Sequence, residues 1–239
     1  MRAYRKLHGA NVCQHVPVIA NKSLSAYIKQ LTQRRKGEMK LVIASNNAHK
    51  VREIKEILSG CFEEILSLKE AGIVIDVVED GKTFEENALK KAEEVLKVCS
   101  ADAALSDDSG LMVDALNGAP GVYSARFAAD GHDDEANNKK LIALMQNVAD
   151  SERTCRFVSA VALARRDKAP LICRGTVEGR LLREKRGENG FGYDPLFFYE
   201  PAGLSFAQMS AESKNAVSHR RRALEALRNE LEAEAEKKQ

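Results

Sequence analysis

No charge of one sign dominates this chain: 37 Lys and Arg stand against 35 Asp and Glu, which excludes a globally basic nucleic-acid binder and an acidic solvating chain. No apolar run approaches the roughly 18 residues that a membrane-spanning helix requires, so no membrane partner is expected. The five cysteines (Cys13, Cys61, Cys99, Cys155, Cys173) are odd in number, scattered, and never spaced as CxxC. That excludes a disulfide framework or a zinc knuckle and points to a reducing compartment, the cytoplasm. The five histidines form no HxH or HExxH pair, so a metal would have to be held by carboxylates, which favours a hard ion such as Mg2+. Internal repeats are absent, and the only biased tract is the charged end EAEAEKKQ. What is present, 44% hydrophobic and 30% charged residues over 239 positions, is the composition of an ordinary globular protein with a sizeable core.

The charge balance is uneven along the chain. Residues 1–38 carry eight cations and one anion (+7), and the remaining 201 carry 29 cations and 34 anions (−5). The first segment lacks the apolar stretch and cleavage site of a secretion signal. It is Arg-rich and nearly acid-free like a transit peptide, but has few serines. The plainer expectation is that Met39 is the working start, because Met39-Lys40 leads directly into the apolar run LVIAS. Residues 1–38 are thus expected to be a basic extension, disordered or a non-native start, and 39–239 the functional domain.

From Met39 onward the pattern alternates strands and helices. Lys40 to Ser45 reads as a buried strand and Lys50 to Leu58 as an amphipathic helix. Ile73 to Val78 reads as a second strand ending in Glu79-Asp80-Gly81. Thr83-Phe-Glu-Glu86 has the form of a capping box, opening a helix with Ala88, Leu89, Ala92, Val95 and Leu96 on its apolar face. Ala103 to Ser106 reads as a short strand that ends at Asp107-Asp108-Ser109-Gly110, and Asp133 to Gln146 as a third helix. Arg156 to Ala164 and Leu171 to Leu181 read as an antiparallel pair about a turn at residues 166–168, and Ser218 to Glu234 as a final helix. The expected fold is α/β: a mixed twisted sheet with flanking helices, in two lobes around a central substrate cleft.

Three places carry possible chemistry. Ser45-Asn46-Asn47-Ala48-His49-Lys50 sets hydroxyl, amide and ammonium groups at a helix N-terminus, a favourable place for phosphate, although Asn47 could be a simple N-cap and Lys50 a solvated residue. Asp107-Asp108-Ser109-Gly110 puts paired carboxylates at a strand end, where α/β proteins bind ligands, and Glu79 ends another strand. Carboxylates alone repel phosphate, so the two features agree only with a magnesium ion between them; the alternative is a surface turn. Five of the thirteen aromatics fall in residues 191–199. Phe197 and Phe198 suit a core, whereas Phe191, flanked by Gly190 and Gly192, suits stacking on a planar base. Ser218-His219-Arg220 adds donors that could read base edges, or a capped helix start.

The stretches ASNNAHKVREI, EDGKTFEENALKKA, LSDDSGLMVDALNGAPGVYSARFA, GENGFGYDPLFF and AVSHRRRAL together resemble the inosine triphosphate pyrophosphatase family, the XTP/dITP pyrophosphatases of non-canonical purine nucleotides. They span about Met39 to Leu227. The resemblance implies a homodimeric, magnesium-dependent hydrolase that cleaves the α–β bond of ITP, dITP or XTP to give the monophosphate and pyrophosphate, with no stable nucleic-acid partner. It further implies that Ser45, Asn47, Lys50 and Lys91 contact the triphosphate, that Glu79 and Asp108 hold the metal, and that Asp108 is catalytic with Asp107 assisting and Ser109 touching substrate. Phe191, Gly192, Tyr193, Asp194, Lys214, His219 and Arg220 are similar to the family's base and sugar pocket. Ala129 stands where the family usually has glycine. Two other functions compete: a related pyrophosphatase of modified pyrimidine triphosphates, and a non-catalytic nucleotide-binding protein recruited by the +7 arm.

Overall fold

The computed structural model describes residues 39–129 and 132–237; the expectation for residues 1–38 lies outside them. The chain runs through β1 (Lys40–Ile43), α1 (Ala48–Ile57), β2 (Glu64–Ser67), α2 (Phe84–Val98), β3 (Ala103–Val113), α3 (Asp134–Leu144), β4 (Thr154–Arg165), β5 (Lys168–Leu181), β6 (Phe197–Tyr199), β7 (Leu204–Ser205), α4 (Ala211–Val217) and α5 (His219–Glu236). The strands form one mixed sheet in the order β2-β1-β3-β4-β5-β6-β7. β2, β1 and β3 are parallel, and every pairing from β3 to β7 is antiparallel. The mixed sheet with flanking helices is as the sequence led one to expect.

Alternation along the strands assigns helices to faces. Leu41, Ile43, Leu105, Val161 and Leu163 point to one face and pack with Ile54 and Leu58 of α1 and Ala223, Leu224 and Leu227 of α5. On the other face α2 lays Ala88 and Ala92 against Val158, Ala160, Ala162 and Ala164 of β4, where small side chains let helix and sheet approach closely. A further cluster built on Phe157, Phe197, Phe206, Leu141 and Met145 fills the antiparallel end.

Two local expectations change, and one strand is added. Ile73 to Val78 joins no ladder: Ile73, Ile75 and Val77 face inward while Val74 and Val78 are exposed, so the alternation reflects an extended segment laid over the core rather than a strand. The strand beside β1 is instead β2, four half-buried residues whose partly polar sequence hid it. β3 does not stop at Ser106. It runs through Asp107-Asp108-Ser109-Gly110 to Val113, because the hydrogen-bonding partners on β4 extend opposite all eleven residues.

The capping of α2 also departs from the reciprocal form. Thr83 Oγ1 accepts from Glu86 N at 3.1 Å, but Glu86 Oε2 accepts from Lys82 N at 2.6 Å, one residue before the cap. On the opposite face, α5 rests directly on β5 at Gly175, where an added Cβ would lie 2.1 Å from the His219 carbonyl oxygen and 2.5 Å from Ala223 N. Both are backbone atoms that a rotamer change cannot move. Gly175→Ala is therefore expected to lower stability by about 1–3 kcal/mol, read as a lower urea midpoint at unchanged m-value.

Candidate active site

β1 pairs with β3 only as far as Ile43 opposite Leu105. Asp107 and Asp108 lie just past that point, at the carboxyl ends of the parallel strands. Ligands collect at such places in open α/β sheets. The expected strand end before Asp107 is not there, since β3 continues to Val113; it is the parallel neighbour β1 that stops at this level.

Because successive strand residues face opposite ways, the two aspartates do not form a dyad. Asp107, fully buried, points toward α1 and α5. Its Oδ2 lies 2.8 Å from Lys50 Nζ and 3.1 Å from Arg220 Nε, and Ser159 Oγ donates to Oδ1. Burial works against its charge, but the Arg220 and Lys50 cations overcome this and hold the carboxyl well below the usual range. Asp108 points toward α2, where Asn87 Nδ2 donates to Oδ2 at 3.1 Å. Here burial and the nearby charge of Glu79 prevail, and the carboxyl is pushed up to about 6. Neighbours in sequence have thus acquired opposite electrostatic characters.

Around Asp107, Arg220 also donates to Glu53 Oε2 at 2.8 Å and Ser109 Oγ at 3.4 Å, and its pKa is raised by Asp107 and Glu53 despite burial. Three of its five N–H donors are thereby engaged. Asn47 caps α1, its Oδ1 accepting from His49 N at 2.9 Å and Lys50 N at 3.2 Å, and Ser45 Oγ accepts from Asn47 N at 3.2 Å. The N-cap reading of Asn47 is correct, but Lys50 is no solvated bystander: it also donates to the Asp107 carbonyl at 3.2 Å.

On the α2 side Lys91 pairs with Glu79, whose carbonyl oxygen accepts from Arg126 Nη2 at 3.0 Å. Asn87 also accepts from Gly81 N at 2.7 Å, tying the Glu79 loop to Asp108. Among the described residues there is no group of three or more His, Cys, Asp or Glu side chains suited to hold a metal ion. Glu79 and Asp108 nevertheless fit magnesium: two hard oxygen donors whose mutual repulsion a cation would relieve, with the other ligands left to water.

Phe191 is 41% exposed, with the Lys214 ammonium 4.6 Å from its ring centroid and the His49 ring stacked at 6.3 Å. This contact joins the aromatic loop to the first turn of α1. Lys214 also pairs with buried Asp194, which accepts from Phe191 N at 2.9 Å; burial still raises the Asp194 carboxyl above its usual range. His219 stacks on Phe157 at 4.9 Å, and its Nδ1 makes no hydrogen bond. Burial and the Arg220 charge keep that imidazole neutral. Tyr193 belongs to the apolar cluster at the antiparallel end, its hydroxyl donating to the Ser124 carbonyl at 2.8 Å, so it lies in the core beneath the aromatic loop. Phe197 is core as expected, while Phe198 is only half-buried.

Glu53, Asn87, Asp134, Asn138 and Ser159 were not identified from the sequence. For Asn87 a signal existed: it sits on the apolar stripe of α2 between Phe84 and Ala88, and a polar residue in such a stripe requires a buried partner.

The Ham1 family profile matches residues 41–230. The chain is 50% identical over 195 residues to a dITP/XTP pyrophosphatase of Leuconostoc mesenteroides subsp. mesenteroides, covering 81% of this chain and 96% of that protein. It is 49% identical to the dITP/XTP pyrophosphatase of Clostridium perfringens, covering 80% and 97%. The solved structure of the Staphylococcus aureus Ham1 protein superposes with a TM-score of 0.75 at 41% identity, covering 82% of this chain and 99% of that one.

Proposed function

The chain belongs to the Ham1 family, and from that premise we propose that it hydrolyses non-canonical purine nucleoside triphosphates, ITP, dITP and XTP, to the monophosphate and pyrophosphate. The observation that carries this reading is the His49–Phe191 contact, which joins an aromatic platform to the capped helix start beside the buried carboxylates. A ligand with a planar base and a polyphosphate matches both ends.

Ser45, Asn47, Lys50 and Lys91 hold the triphosphate, the two lysines offsetting its charge. Glu79 and Asp108 hold magnesium, which when bound neutralises phosphate charge and polarises the phosphoryl oxygens. Asp108 orients the attacking water and accepts its proton as the water oxygen bonds to the α-phosphorus and the bridging oxygen leaves with pyrophosphate. Asp107 serves from beneath, holding Lys50 and Arg220 in place. Phe191 stacks on the base; Asp194 and Lys214 frame it. His219 and the two uncommitted N–H groups of Arg220 read the 6-keto edge, and the 6-amino group of adenine would leave donor facing donor. One such mismatch costs about 1–3 kcal/mol, a factor of about 5 to 150.

Residues 39–239 form the catalytic domain in this reading, with 1–38 outside it. A homodimer and a cytoplasmic location complete it; they rest on the family resemblance and on five cysteines that are odd in number, scattered and never spaced as CxxC. Among the described residues no helix is long and apolar enough to cross a membrane.

Pyrophosphate release measured with ITP, dITP, XTP, GTP, ATP and UTP is expected to favour the first three, with kcat/KM for ATP lower by about 5- to 150-fold. Activity should vanish in chelator and return with magnesium. UTP preferred over ITP would overturn the purine assignment.

A further inference from the structure

α3 has weak apolar periodicity because two of its three buried residues are asparagines, Asn137 and Asn138. A buried amide on a helix interior calls for a specific partner. Asn138 Nδ2 donates to the Gly192 carbonyl at 2.8 Å and to the Asp134 carbonyl at 2.7 Å, while its Oδ1 is buried without a partner. One turn earlier on the same helix, Asp134 Oδ2 accepts from Gly192 N at 2.7 Å. The two residues therefore grip both polar backbone groups of a single glycine, which stands at φ +61° directly after Phe191.

The grip has a direction. Gly192 has open space where a Cβ would be, so packing does not define its position. Polar contacts do so instead: Asp134 and Asn138 hold Gly192, and Asp194 holds Phe191 N. Asn137 extends the hold to the opposite rim, accepting from Ala128 N at 2.7 Å and donating to the Ala125 carbonyl at 3.1 Å, next to the Arg126 that reaches Glu79. An apolar residue at position 138 would avoid the orphaned Oδ1 but leave the Gly192 carbonyl free.

We propose that Asp134 and Asn138 are positioning residues that fix the Phe191 ring as a base-stacking platform by clamping the N–H and C=O of Gly192 from one face of α3. This rests on the reading that Phe191 stacks on the substrate base. Neither residue touches substrate; both set the orientation of the ring that does. Their loss lets the ring rotate away before binding, which weakens substrate capture and leaves the hydrolytic step largely intact.

The test is a double-mutant cycle on dITP hydrolysis in the full chain, with thermal unfolding followed in parallel. Asp134→Ala and Asn138→Ala are each expected to raise KM about tenfold with kcat within about threefold, and Asp134→Asn, which keeps an acceptor for Gly192 N, to restore KM. In a Phe191→Ala background neither alanine substitution should raise KM further, because both act through that ring. KM increases that multiply in the double variants, or an unchanged KM in Asp134→Ala, would overturn the clamp. An unchanged KM in Phe191→Ala alone would instead refute the stacking reading on which the clamp rests. Should Asn138→Ala fail to fold, the Asp134→Ala, Asp134→Asn and Phe191→Ala comparison decides the matter.

Discussion

Asp108→Asn is expected to lower kcat for dITP by about 10³-fold, within the 10²–10⁴ range of a lost acid–base group, while the protein becomes more stable. The amide keeps the carboxylate's shape and one acceptor oxygen for Asn87 Nδ2, giving up only the Oδ1 contact with the adjacent Ser109 N. What disappears is a charge that the fold opposes: burial and Glu79 raise the Asp108 carboxyl from its ordinary 3.8 to about 6. At pH 7 the native state therefore carries a carboxylate that is less comfortable than in the unfolded chain. Relief of that cost is worth on the order of 1–3 kcal/mol. Urea denaturation in metal-free buffer at pH 7 should show a higher midpoint for the variant. Loss of activity together with gain of stability is the pattern of a strained functional group, whereas a merely structural aspartate would lose both. Turnover within tenfold of the parent would remove Asp108 from the reaction.

Arg220→Ala is expected to destabilise the fold by about 3–5 kcal/mol, the largest stability loss foreseen for this chain. Its guanidinium is buried between Asp107 at 3.1 Å and Glu53 at 2.8 Å. Removing it leaves Asp107, with no exposed side-chain surface, dependent on Lys50 and Ser159, and removes the cation from Glu53. Arg220→Lys should recover only part of the loss, because one ammonium cannot present the fork that spans two carboxylates and Ser109. Equilibrium unfolding of both variants measures this. A loss below about 1 kcal/mol would mean that Lys50 alone compensates Asp107. Activity should fall as well, since in the proposed reaction the free N–H groups of Arg220, beside His219 in the first turn of α5, read the 6-keto edge of the base.

The role of Arg220 illustrates what a linear reading sees and what it misses. The triplet Ser218-His219-Arg220 was conspicuous as a helix start, and Ser218 does cap α5, accepting from Arg221 N at 3.1 Å. That Arg220 reaches Glu53, 167 positions away, was invisible. Glu53 looked like any charged residue on an amphipathic helix. Asp134 and Asn138 were equally inconspicuous, because their partner is a backbone glycine rather than another side chain. Ile73 to Val78 erred in the opposite direction: period-two alternation is produced by any extended segment with one side buried, whether or not a neighbouring strand is present.

The sequence by itself determined the helices with legible caps, the long hairpin of β4 and β5, the carboxylate and aromatic motifs, and through their joint order the family. These depend on local periodicity, capping and turn chemistry, all of which are written in neighbouring residues. Only the tertiary structure decided that Asp107 and Asp108 serve opposite faces, with one carboxyl held low and the other raised. The reason is that a strand's alternation separates what sequence places side by side, and the charges that then set each pKa arrive from distant elements. Electrostatic character belongs to the surroundings a residue is folded into, so two adjacent and chemically identical side chains came to differ.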